Sequence, residues 1–169
     1  MIASDSVGAW RVIVLNSNCS DVPCDESSTQ VAWLRAELAA SSKPCTMAMW
    51  HFPRFSSDRA GTNDTMRPFY RALYEADADL VLVGHAHNYG RFAPIDHDGN
   101  VDPVRGIRQI VVGTGGADLR PKVNVQAASE VFLDDTFGII ELSLYADRYA
   151  WKLRSTTGGS PDSGVEHCH

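Results

Sequence analysis

No apolar run in this sequence approaches the roughly 18 residues that a membrane-crossing helix needs, so no transmembrane helix is expected. Basic runs are missing as well. The 15 Lys and Arg are outnumbered by 21 Asp and Glu, the net charge is -6, and the signs are interspersed, so a nucleic-acid partner has little support. The opening residues, Met1 to Ser6, lack the basic and apolar regions of a signal peptide. There is no internal repeat and no shift of composition that would mark a second domain. What remains is ordinary globular composition, 44% hydrophobic and 21% charged over 169 residues, long enough to bury a core. One domain is expected over residues 1–155, followed by an irregular Gly/Ser/Pro-rich tail over 156–169.

Cysteine is sparse but even in number: Cys19, Cys24, Cys45 and Cys168. Their placement in loops and near a terminus favours disulfides, Cys19 with Cys24 and Cys45 with Cys168. A zinc site drawing on His167 and His169 beside Cys168, or free thiols, are the alternatives. Disulfides without a signal sequence are inconsistent with each other, which suggests that the chain lacks its front part.

Residues 10–15 (Trp-Arg-Val-Ile-Val-Leu) read as a strand, and Ser27 with Gln30 as a capping box opening a helix over about 28–41, with Val31, Leu34 and Leu38 on its buried face. A strand follows at 45–50. After a polar loop, Asp64 or Thr65 caps a second helix that buries Met66, Phe69, Leu73 and Ala76, and a strand at 80–83 closes a second β-α-β unit. The order predicts parallel strands in a doubly wound α/β arrangement. Beyond it, residues 92–95, 107–112, 137–144 and 149–153 read as strands without intervening helices, so an antiparallel or mixed sheet is expected there.

Two strands of the first half end on histidine. Leu80 to Val83 runs into Gly84-His85-Ala86-His87, and Cys45 to Trp50 runs into His51-Phe52-Pro53-Arg54. Residues i and i+2 of an extended segment share a side, so His85 and His87 can converge. Ligands of open α/β sheets bind outside the carboxyl ends of the strands, and imidazole is a common transition-metal ligand. His97, His167 and His169 read as surface residues, and Gly113-Thr114-Gly115-Gly116 as a tight turn.

These motifs resemble the C-terminal half of calcineurin-like metallophosphoesterases, with the purple-acid-phosphatase-like and secreted bacterial enzymes the nearest subgroup. The resemblance covers nearly the whole chain: strand-His-x-Pro, a helix, strand-Gly-His-x-His with Tyr89 and Arg91 following, and Val112-Gly113-Thr114-Gly115-Gly116. It implies half of a four-layer α/β/β/α sandwich and an enzyme that hydrolyses phosphate esters. It also implies two metal ions, Fe, Zn or Mn, about 3.5–4 Å apart. Carried over, His51 and His85 would ligate one ion and His87 the other, with Arg54, Tyr89 and Arg91 lining the substrate cleft. It implies an extracellular or periplasmic protein.

The family's Asp-x-His, Gly-Asp-x-x-Asp or Gly-Asp-x-x-Tyr, and Gly-Asn-His-Asp or Gly-Asn-His-Glu motifs do not occur in this sequence, and Gly90 stands where relatives commonly have Glu. The expectation is therefore a truncated metallophosphoesterase, inactive by itself, whose uncovered sheet surface invites self-association. The alternative is a non-catalytic remnant that binds one metal or a partner through the same strand ends. A mononuclear zinc hydrolase built on His51, His85 and His87, with Asp58 or Asp64 as base, is a weaker option.

Overall fold

A computed structural model of the chain describes residues 2–169 and leaves Met1 outside the described residues. Its larger sheet is built on four parallel strands: β2 (Trp10–Val14), β3 (Cys45–Trp50), β4 (Leu80–Val83) and, later in the chain, β6 (Arg108–Val112). Antiparallel strands extend both edges. β1 (Ala3–Val7) pairs with β2, while β5 (Tyr89–Phe92) lies between β6 and β7 (Ser129–Leu133). Helices α1 (Thr29–Ala40) and α2 (Arg67–Glu75) make the β2–β3 and β3–β4 connections. A second, three-stranded antiparallel sheet follows, β8 (Gly138–Leu144), β9 (Arg148–Ser155) and β10 (Ser163–His167), with β9 in its middle.

Both helices lie on the same face of the large sheet. Right-handed crossovers that step in one direction, β2 to β3 to β4, place their helices on one side, so the expected double winding does not occur. Val31, Leu34, Phe69, Tyr70 and Leu73 bury that face together with Ile13, Ala48, Val81 and Val111 from the strands. The opposite face receives the small sheet, whose Tyr149, Trp151 and Leu153 pack on Trp10, Cys45, Met47, Leu80 and Ile110. The result is three layers, α/β/β, from one chain.

Several local expectations shift. The cap of α1 is Ser28, which accepts from Val31 N–H, while Gln30 instead bonds both backbone groups of Asn16. The tail expected to be irregular contains β10 and is tied down. Cys168 is bridged to Cys45, His169 N–H donates to Asp79, and the His169 ring reaches the Gly106 carbonyl. His169 is thus tethered, yet it is exposed, as expected. Both expected disulfides, Cys19–Cys24 and Cys45–Cys168, are present, and no cysteine is free.

The sheets are joined by polar as well as apolar groups. Asp162 accepts from the Tyr89 hydroxyl, the Trp151 indole and Arg91, and Glu166 accepts from Arg108 and the Tyr149 hydroxyl. Arg91 and Arg108 also stack on the Trp151 ring at 5.3 and 5.2 Å. Burial opposes ionisation of both acids, but these donors outweigh it and hold both carboxyls below their ordinary range. Their stabilisation is therefore whole above an unfolded pKa of about 4 and is lost as pH falls through the lowered folded values. Asp79 works in the opposite sense. Burial holds it above its ordinary range despite N–H bonds from Thr46 and His169, so its share is complete at low pH and lost as pH rises. Two carboxyls against one give a net loss below about pH 4. An acid titration followed by circular dichroism should show it, and Asp162→Asn should remove part of that slope from a lower starting stability.

Candidate metal centre

The imidazoles stand at the carboxyl ends of β3 and β4. Gly84 N–H donates to the His51 carbonyl at 3.0 Å, which extends the β3–β4 ladder one step and brings the two histidine segments side by side. The chain then turns through His85 with φ +60°, a left-handed conformation that costs a non-glycine residue about 1–2 kcal/mol. That turn brings His85 Nδ1 to 3.2 Å from His51 Nε2, with the Phe52 ring packed on His85 at 4.4 Å. Burial first, then the neighbouring His51 and the Arg120 guanidinium, hold the His85 imidazole below its ordinary range. Ser17, buried at the end of β2, fixes the other side, its hydroxyl oxygen accepting from His51 and Phe52 N–H. An open cavity of about 510 Å³ between Leu15–Asn18, His51 and Phe52 leaves room beside them.

His87 is held separately. Its Nδ1 lies 2.9 Å from the Asp118 carbonyl, which can only accept, so Nδ1 carries the proton and Nε2 keeps its lone pair. Imidazole ligands of metals are commonly oriented by such an Nδ1–H bond to a carbonyl. The loop that supplies Asp118 is itself anchored, since Arg120 N–H donates to the His87 carbonyl at 2.8 Å and Gly113 N–H to the Asn88 carbonyl at 2.9 Å.

This donor set fits a metal. Two nitrogens each about 2.0–2.1 Å from one ion stand about 2.9–3.4 Å apart, and the 3.2 Å between His51 and His85 falls in that interval. His87 does not join them in a tight trio. Among the described residues, the one group of three potential ligands lying mutually within 4.8 Å is Cys45, Asp79 and Cys168, and its cysteines are spent in a disulfide. One ion held by all three imidazoles is thus disfavoured. Neither acid suggested as its base is free: Asp58 is buried against Ser56 and Ala60, and Asp64 is paired with Arg54.

The residues expected in the substrate cleft are placed elsewhere. Arg54 is 3% exposed, pairs with Asp64 at 2.8 Å and lines a different cavity with Arg67, Pro68 and Arg71. Tyr89 is wholly buried between the sheets with its hydroxyl on Asp162, and Arg91 is shared by Asp162 and Glu130. Strand alternation explains the last two: in β5, positions 89 and 91 share one side, and that side faces the small sheet. Sequence reading missed Arg120 and Asp118, which lie in a loop with no motif of their own. The usable signal was the Gly-rich stretch at 113–116, which lets that loop approach the histidines.

No family model matches the chain. Among curated proteins, it is similar to three from Arabidopsis thaliana. It is 35% identical to purple acid phosphatase 21 over 57% of this chain and 23% of that protein. It is 31% identical to purple acid phosphatase 22 over 67% and 26%, and 28% identical to purple acid phosphatase 18 over 84% and 34%. The chain thus spans about a quarter to a third of the length of these relatives. Its fold matches the purple acid phosphatase PPD1 from yellow lupin seeds with a TM-score of 0.81 at 20% identity, over 98% of this chain and 32% of that one. It also matches GAP50, the anchor in the inner membrane complex of Plasmodium, with a TM-score of 0.77 at 15% identity, over 100% and 54%. The chain is related, over part of their length, to the purple acid phosphatases, and it carries the fold of the calcineurin-like metallophosphoesterases.

Proposed function

We propose that this chain supplies the imidazole side of a dinuclear metal centre that hydrolyses phosphate esters. The supporting observation is the pairing of His51 Nε2 with His85 Nδ1 at 3.2 Å, next to a His87 whose tautomer is already set for ligation. When bound, two metal ions activate water and neutralise phosphoryl oxygens. The protein's part is to hold the donors in place. Ser17 and the Gly84 amide fix the His51 segment, the left-handed turn aims His85, and the Asp118 carbonyl keeps the proton on His87 Nδ1. The bridging carboxylate and further ligands of such a centre would come from residues not among these 169, and the relatives' greater length supports that reading. The two disulfides support an oxidising compartment outside the cytosol.

The alternative, a non-catalytic domain that holds one ion or a partner, draws on a different observation. The small sheet leaves part of the large one uncovered. Val14 is 38% exposed, its cross-strand neighbours Met49 and Leu82 are only partly buried, and β8 has an open edge. Such a row supports association with another polypeptide, a second copy included.

Zinc and manganese titrations by calorimetry, paired with hydrolysis of an aryl phosphate, test the proposal. His51→Ala and His85→Ala should each weaken the tighter ion by more than the roughly 10–100-fold typical of losing an outer-shell partner, since each removes a ligand outright. His87→Ala should leave that ion in place. Identical titrations in wild type and His51→Ala would sink the metal-centre reading.

A further inference from the structure

We propose that Arg120 is the anion-holding residue of this site, its guanidinium taking the oxygens of a phosphate group. The inference rests on reading the histidines as a phosphate-ester centre, and it names a residue that the sequence motifs passed over.

Position comes first. The loop is clipped to His87 at two points, through Arg120 N–H on the His87 carbonyl at 2.8 Å and the His87 imidazole on the Asp118 carbonyl at 2.9 Å. The backbone of Arg120 is therefore one hydrogen bond from His87, and its charge is close enough to bear on His85. Availability comes second. The arginines that sequence position favours are already committed: Arg54 to Asp64, Arg91 to Asp162 and Glu130. Arg108, which no motif favoured, is likewise held by Glu130 and Glu166. Arg120 is exposed, and among the described residues its side chain makes no hydrogen bond or ion pair.

Chemistry comes third. A planar guanidinium donates two parallel N–H bonds to phosphate oxygens, which a lysine ammonium, a point charge, cannot match. Holding an exposed arginine unpaired beside His85 and His87 gains nothing for the fold. It suits a visiting dianion. Because the group is exposed, its attraction is screened by salt.

The test is a titration of the chain with inorganic phosphate, followed by amide ¹H–¹⁵N shifts, with and without zinc. In the zinc-loaded chain, phosphate should move the His85, His87 and Arg120 amides along one saturable curve. Arg120→Ala should weaken phosphate at least tenfold while zinc affinity stays as in wild type, and Arg120→Lys should recover part of the loss. Raising the salt concentration should weaken wild type more than Arg120→Ala. Equal phosphate affinity in wild type and Arg120→Ala would overturn the inference, as would shifts that never saturate. If zinc fails to bind the imidazoles, the metal-centre reading falls, and the metal-free titration still decides on Arg120: the same three amides must respond, and must stop responding in Arg120→Ala.

Discussion

Gly113→Ala should destabilise the chain by about 3 kcal/mol or more and disassemble the imidazole site without touching a ligand. A Cβ at Gly113 would stand 1.7 Å from the Ala86 carbonyl oxygen and 3.1 Å from His87 Cα. Both obstacles are backbone, so no flexible side chain can swing aside. Either the end of β6 retreats and gives up the Gly113–Asn88 hydrogen bond, or the segment from His85 to His87 is pushed out of line. Chemical denaturation would read the first effect. Zinc calorimetry on the surviving folded fraction would read the second, and full zinc affinity in a stable Gly113→Ala chain would contradict this account. The neighbouring Gly115 is the control, since a Cβ there meets nothing within 4 Å and Gly115→Ala should be nearly silent.

The second large effect lies at the other end of the parallel strands. Cys45–Cys168 closes a loop of sequence separation 123, whereas Cys19–Cys24 closes one of 5. In the chain-entropy description the long bridge stabilises by about 5 kcal/mol and the short one by about 2. Replacing Cys45 and Cys168 together by serine should therefore remove a large share of the 5–15 kcal/mol that a domain typically has. The pair at 19 and 24 should cost less than half as much. Position adds to entropy here: Cys168 and His169 hold β10 against the start of β3 and Asp79, so losing the bridge also loosens Glu166 from Arg108. Paired urea titrations of the two double variants would check the order, and a larger loss from the 19–24 pair would contradict it.

Much of the layout was legible because apolar period and chain order speak directly to it. Strands 45–50 and 80–83 have the predicted bounds, and both helices fall where Val31-Leu34-Leu38 and Met66-Phe69-Leu73 placed them. Ala76, expected on the second buried face, is instead exposed at the cap that ends α2. The strand from Ala3 was not legible, because Ala-Ser-Asp-Ser-Val has no apolar alternation and forms only by pairing with Trp10–Val14. The same holds for Ser163–His167, which gains its order from β9 and from the bridge at Cys168. At the site, identity and spacing pointed to His51, His85 and His87. They could not show that the arginines named by the motif are already paired while Arg120, beside His87, stands free. That depends on partners brought from far along the chain: Asp162 lies 71 residues from Arg91, and Glu166 lies 58 from Arg108.

The left-handed backbone at His85 has a bearing on how such a chain changes over time. Folding alone would favour glycine there, which has no Cβ and accepts that conformation without strain. Drift without a use for the imidazole would therefore replace it early, and the replacement would make a sturdier protein. If the His85 ring holds an ion as proposed, the strain of this turn is offset by binding rather than by folding.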